Sequence, residues 1–308
     1  MACSSVLVIG GSGFIGRHLV AQLAATGRNV LVPTRSYEHA KHLLVLPTVE
    51  LAEADVHDDA SLHRLLQNQD AVINLVGILH GKAGARGSSY GADFAKAHVE
   101  LPKRIAAACV ARRVPRFLHM SALGADSRAP SMYLRSKADG EAAAFSQAKV
   151  ATTVFRPAVV FGEEDRFLNL FAALQRFLPV ILLGGADAKF QPVYVEDVAR
   201  AMTKSLDNDK TVARMFELAG PTVYALRELV RLAGIYSGHP RPVIGLPPSL
   251  ARLQAWLLEQ MPGGPLMSRD NLDSMKVDNV ARIPIASELG IMPTPLEAVA
   301  PSYLGKQP

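Results

Sequence analysis

The stretch Val6-Leu-Val-Ile9-Gly10-Gly-Ser-Gly13-Phe-Ile-Gly16-Arg-His-Leu19 decides how the rest of the chain is read. Four consecutive apolar residues make a short strand buried on both faces. Ile15, Leu19 and Leu23 then recur at helical spacing, up to a stop at Gly27. The glycines fall between strand and helix as Gly-x-x-Gly-x-x-Gly. In such a turn Gly10 permits the sharp reversal, Gly13 lets backbone approach a pyrophosphate, and Gly16 lets helix and strand pack closely. The unpaired N–H groups and the dipole at the helix start favour an anion. The stretch therefore predicts a dinucleotide site, with Gly10, Ser12, Gly13, Phe14, Ile15 and Gly16 around the pyrophosphate.

Outward from this unit, apolar runs alternate with helical patterns. Val30–Val32, Val49–Leu51, Ala71–Val76, Phe117–Met120 and Thr152–Phe155 read as strands; Ser61–Asn68, Ala92–Arg113 and Tyr133–Lys149 read as helices. Doubly buried strands separated by helices imply a parallel sheet covered on both faces. The predicted fold class is α/β, a Rossmann-type doubly wound parallel sheet over residues 1–162, with ligands outside the carboxyl ends of the strands. After Gly162 proline becomes common and the alternation weakens, so residues 163–308 read as a smaller irregular α/β lobe for substrate or partner. Val193–Met202 and Met215–Ala219, within a return region of about 191–220, are expected to rejoin the main sheet. The Gly- and Ser-rich loop Gly81–Gly91 is expected to be mobile.

The strand ends supply the rest of the site. Where an acidic residue after the second strand would bind the ribose 2′-hydroxyl of NAD(H), the chain reads Pro33-Thr-Arg35-Ser36, so Arg35 favours NADP(H) through its 2′-phosphate. Asp55 and Val56 are placed to meet adenine, and Leu75, Val76 and Gly77 to lie beside the adenosine ribose. Tyr133 and Lys137 stand at i, i+4 on one helix face. An ammonium there is expected to lower the phenol pKa, which suits Tyr133 to acid–base chemistry, and Lys137 can also bind the nicotinamide ribose.

These residues, with Arg156-Pro157-Ala-Val-Val-Phe161-Gly162 and Val193-Tyr-Val-Glu-Asp197, together resemble the extended short-chain dehydrogenase/reductase family (NAD-dependent epimerase/dehydratases) over most of the chain. The runs His119–Asp126, Tyr133–Glu141, Val160–Asn169 and Gln191–Asp197 are similar to the atypical branch that holds the nucleotide-binding accessory subunit of respiratory complex I and its bacterial relatives. The resemblance implies that Arg156, Pro157 and Val159 border the nicotinamide, and that Asp197 lies between the lobes. It implies a tightly held NADP(H) whose role is mainly structural or sensing, and a respiratory-complex-like or membrane-associated partner. The alternative it implies is an active NAD(P)-dependent reductase or sugar-nucleotide epimerase/dehydratase working through Tyr133, Lys137 and Ser121. Against the family's run of hydroxyl residues, Ala122 stands at the substrate-facing position and Ser121 one residue earlier.

Composition narrows the classes. The chain has 308 residues, a formal charge of +5 and 49% hydrophobic residues, the balance of a folded protein with a sizeable core. Without a dense Lys/Arg tract, nucleic acid is not an expected partner. Nine His without metal-ligand spacing predict no metal site. Two cysteines cannot make a disulfide framework, and Cys109 reads as a packed thiol. No basic region precedes Val6 and no apolar run reaches about 18 residues, so neither leader nor transmembrane segment is expected. The expected location is cytoplasmic, or peripheral to the inner membrane. Ser249–Met261, with Leu250, Leu253, Trp256, Leu257 and Leu258, reads as a packed helix before a surface one.

Overall fold

The computed structural model describes residues 3–82, 84, 87–261, 266–285 and 287–305. Its centre is a seven-stranded parallel sheet. In chain order the first six strands are β1 (Ser5–Ile9), β2 (Asn29–Thr34), β3 (Val49–Glu53), β4 (Ala71–Asn74), β5 (Arg116–Met120) and β6 (Ala151–Pro157). The seventh, Arg214–Leu218, lies outside β6, and the spatial order runs Arg214–Leu218, β6, β5, β4, β1, β2, β3. Strand order reverses between β1 and its two neighbours, with Val6 opposite both Val30 and Ala71. That reversal opens the crevice in which doubly wound sheets bind ligands.

The sheet separates two apolar cores. On one face Val6, Val8, Leu19, Leu23 and Val32 pack with Val198 and Met202; on the other Leu7, Ile9, Val72 and Phe117 pack with Leu101, Ile105 and Cys109. Alternate residues of β1 thus enter opposite cores, as the pleat requires. The helix Phe14–Ala25 ends where Gly27 takes a φ of +78°, a conformation that glycine adopts without steric penalty. Cys109 is fully buried, and burial pushes its thiol up to about 12, as a packed rather than a reactive cysteine.

Three features differ from the sequence reading. Met215–Leu218 does join the sheet, but Val193–Tyr194 pairs instead with Val160–Phe161 in a separate two-stranded ladder, which leads into the helix Val195–Ser205. The long helix after β4 is α-helical over Ala92–Phe94 and Leu101–Arg112, with a π-helical stretch Ala95–Glu100 between. Pro102 has no amide to bond the carbonyl of His98, four residues back, so the chain there takes a wider turn. The helix Pro248–Glu259 buries Ala251 and Ala255 alone, while Leu250, Leu253, Trp256 and Leu257 are exposed, so it is a surface helix with a large apolar face.

In the loop expected to be mobile, Ala83, Ala85 and Arg86 lie outside the described residues. Its remainder is tied down: Tyr90 Oη donates to Asp139 at 2.6 Å and Arg135 Nη2 to the carbonyl of Ser89 at 2.7 Å. Among the described residues no helix is long and apolar enough to cross a membrane.

Candidate functional site

At the end of β1, Gly10 turns the chain with a φ of +84°. A Cβ on Gly16 would lie 2.3 Å from the Gly10 carbonyl oxygen and 2.6 Å from the Gly11 Cα, so only hydrogen fits there. Gly13 is the N-cap of Phe14–Ala25; no side chain caps that end, and no acidic residue stands in the first turn. Its opening N–H groups and the positive end of the dipole are therefore open to a ligand anion. Ser12, Phe14 and Ile15 border the turn and are partly exposed. This chemistry fits a pyrophosphate.

Arg35 follows β2 and is exposed. Its turn is fixed by Thr34, whose hydroxyl donates to the Ser36 carbonyl at 2.8 Å and accepts the Ser36 N–H at 3.2 Å. Asp55 is exposed beyond β3, where its carboxylate accepts the His57 N–H at 2.9 Å; Val56 packs against the second core. The pKa of the His57 imidazole is lowered first by burial, then by Lys96, with the Asp55 carboxylate opposing and Arg104 and Arg35 adding smaller pulls. Beyond β4, the Val76 N–H donates to Asn74 Oδ1 at 3.1 Å, which sets the Leu75-Val76-Gly77 turn.

Tyr133 and Lys137 open the helix Met132–Ala144 between β5 and β6. Ser131 caps it through the Leu134 N–H, and the Asp270 carboxylate accepts the Met132 and Tyr133 N–H groups at 2.7 and 3.0 Å. Lys137 Nζ is buried and donates to the Met120 carbonyl at 2.9 Å. Burial pulls its ammonium down to about 8, against the opposing pull of Glu141. Tyr133 departs from the sequence reading: burial pushes its phenol up to about 12, and no lowering by the Lys137 ammonium accompanies it.

Ser121 does not present a free hydroxyl. Its Oγ donates to Glu141 Oε1 at 2.5 Å, and Arg156 holds the same carboxylate through Nε at 2.7 Å and through Nη2. Ala122 beside it is buried. Pro157 closes β6, and its carbonyl accepts the Leu123 N–H at 2.9 Å. The Val159 N–H donates to Asn279 Oδ1 at 2.7 Å. Asp197 is buried and accepts the Thr294 N–H at 2.7 Å and an Arg200 N–H at 2.9 Å.

Four polar residues here escaped the sequence reading. Glu141 continues the Tyr133, Lys137 series by one further i+4 step, and that was a readable signal. His98 interrupts the apolar series Phe94, Leu101, Ile105, a weaker one. Asp270 and Asn279 come from a distant, irregular stretch and had no local signal.

Residues 6–219 match the model of the NAD dependent epimerase/dehydratase family. The chain belongs to this family of nicotinamide-dinucleotide-binding proteins of Rossmann type. Within it, the chain is similar to the mitochondrial NADH dehydrogenase (ubiquinone) 1 alpha subcomplex subunit 9 of Mus musculus, 34% identical over 301 residues that cover 94% of this chain and 77% of that protein. It is similar also to the 40 kDa subunit of the mitochondrial NADH-ubiquinone oxidoreductase of Neurospora crassa, at 30% identity over 96% of this chain and 78% of that one. The fold is shared with UDP-glucuronic acid 4-epimerase from Bacillus cereus, solved with UDP-glucuronic acid and NAD, at a TM-score of 0.66 and 19% identity over 88% of this chain and 99% of that one.

Proposed function

We propose that this protein holds NADP(H) as a structural or sensing cofactor and serves as an accessory, membrane-peripheral subunit of a respiratory-type assembly. The observation that carries this reading is the contrast between the two halves of the crevice. On the dinucleotide side the helix N-terminus is uncapped and Arg35 is exposed. On the side where a substrate would approach the nicotinamide, several polar groups other than the Tyr133 phenol are already bonded within the chain: Ser121 and Arg156 to Glu141, the Val159 N–H to Asn279, and the N-terminus of the Tyr133 helix to Asp270. Residues 1–162, with the return strand, would form the dinucleotide lobe, and 163–308 the partner lobe. The likeness to mitochondrial complex I subunits supports the assembly, and the apolar face of Pro248–Glu259 offers surface to a partner.

The preference for NADP(H) rests on Arg35. A charge-assisted hydrogen bond is worth about 1.5–3 kcal/mol, or ~10- to 100-fold in affinity. Arg35→Ala is therefore expected to weaken NADPH by that factor and leave NADH nearly unchanged in a fluorescence titration. Equal affinity of the parent protein for the two dinucleotides would refute the preference.

A second reading, an active reductase or epimerase/dehydratase, is favoured by the Tyr133 and Lys137 pair at the start of its helix. Under the accessory reading, Tyr133→Phe leaves the affinity for the dinucleotide within about fivefold of the parent, since the phenol contributes at most one hydrogen bond to it. Hydride exchange with a panel of carbonyls or nucleotide sugars, abolished by the same substitution, would establish the second reading instead.

A further inference from the structure

The π-helical stretch Ala95–Glu100 brings His98, fully buried, against both halves of the dinucleotide crevice. Its two ring nitrogens are partnered. The Ile78 N–H, in the turn after β4, donates to Nε2 at 3.0 Å. Nε2 is thus the acceptor and Nδ1 carries the proton, which points to Ser136 Oγ at 2.8 Å. The Ser136 hydroxyl in turn donates to the Tyr133 carbonyl at 2.8 Å. One neutral imidazole so connects the turn beside Gly77 to the helix of Tyr133 and Lys137. The approach is close: a Cβ on Gly77 would lie 3.6 Å from Lys137 Nζ and 3.7 Å from His98 Nε2, and one on Gly140 only 2.1 Å from the His98 carbonyl oxygen. The rings of Phe94 and Tyr133 pack around the imidazole at 5.4 and 5.7 Å between centroids.

We propose that His98 is a positioning residue for the dinucleotide: by bonding Ile78 and Ser136 at once, it fixes the gap between the Gly77 turn and the Lys137 ammonium in which a ribose is gripped. An apolar side chain of the same size would fill the space but leave the Ile78 N–H without an acceptor and Ser136 bonded only to the Tyr133 carbonyl of its own helix. The turn would then be held by packing alone. Burial beside Lys137 pulls the imidazole down to about 2, so it stays neutral and keeps its single donor and single acceptor across the working pH range.

This inference rests on the reading of the glycine turn as a dinucleotide site, and the test separates the two. NADPH is titrated into the full chain and into His98→Leu and His98→Gln, from pH 6 to 10, with hydrogen exchange at the Ile78 amide. Leu removes both hydrogen bonds and keeps the volume; Gln restores one acceptor and one donor. Two lost hydrogen bonds of about 1 kcal/mol each amount to roughly 10- to 30-fold, so His98→Leu is expected to bind that much more weakly and to lose protection at Ile78. His98→Gln is expected to return within about threefold.

The pH profile gives a readout that loss of packing alone would not move. Lys137 faces Tyr133 and Glu141 on its own helix, His98 from the π-helical stretch and His119 from β5. Parent binding is expected to fade as pH rises through about 8, where Lys137 loses its proton. In His98→Leu the loosened turn admits water to the amine, and the fading moves to higher pH. Binding by His98→Leu within twofold of the parent, or His98→Gln no better than Leu, overturns the proposal. Should His98→Leu not fold, His98→Gln decides alone, and a tenfold loss there overturns it. A parent chain that binds neither NADPH nor NADH refutes the dinucleotide reading itself.

Discussion

Gly16→Ala is expected to abolish dinucleotide binding and to destabilise the protein by about 3 kcal/mol, the upper end of what overpacking costs. The added carbon would stand 2.3 Å from one backbone oxygen and 2.6 Å from the Gly11 backbone, and backbone atoms cannot rotate aside as a side chain can. Relief requires the whole turn to move away from the helix start, which withdraws the N–H groups that receive the pyrophosphate. Gly13→Ala is the control for stability alone. A Cβ there would meet one atom, the Gly10 carbonyl oxygen at 3.3 Å, and the residue is exposed with an ordinary extended conformation. The fold should tolerate it at a cost below about 1 kcal/mol. Urea denaturation with NADPH titration on both variants reads the difference. If Gly16→Ala bound NADPH within tenfold of the parent, the turn would not be the pyrophosphate site.

That contrast between two glycines of one motif marks how far the sequence could be read. The strand, turn and helix of residues 6–25 are local, and their periodicities are short, so the fold class followed from them. The placement of Tyr133 and Lys137 also followed, since a shared helix face is a matter of spacing. What the sequence could not show was the direction of polar side chains that find partners far along the chain. The resemblance offers Ser121 as a site hydroxyl; its acceptor, Glu141, lies 20 residues on and is reached only across the packing of helix on strand. Asn279 reaches Val159 from 120 residues away, through a segment without hydrophobic period. The phenol of Tyr133 was read from its nearest charge, whereas burial, a tertiary quantity, dominates it. Val193–Tyr194 has strand composition, but composition does not specify which strand it will pair with.

The Ser121, Glu141 and Arg156 cluster gives the second large effect. Glu141→Ala is expected to cost about 3–5 kcal/mol, because it strands a guanidinium in a partly desolvated site and leaves the Ser121 hydroxyl without its acceptor. The carboxylate side chain is 7% exposed and the guanidinium 22%, so solvent screens little of the interaction. The Glu141 hydrogen bond also holds the Arg156 guanidinium above its ordinary range, and among the described residues no other carboxylate is bonded to it. Arg156→Ala alone should also destabilise. The double variant should lose less than the two singles together, by about 1–3 kcal/mol, since each single already breaks the same pair. Strict additivity in urea denaturation, or a loss below about 1 kcal/mol for Glu141→Ala, would mean that water already serves these groups. A dinucleotide that binds only the folded chain adds about 2.7 kcal/mol at 100 times its Kd. Saturating NADPH should therefore recover much of the loss in Glu141→Ala and almost none of it in Gly16→Ala, because the first substitution leaves the pyrophosphate turn in place and the second removes it.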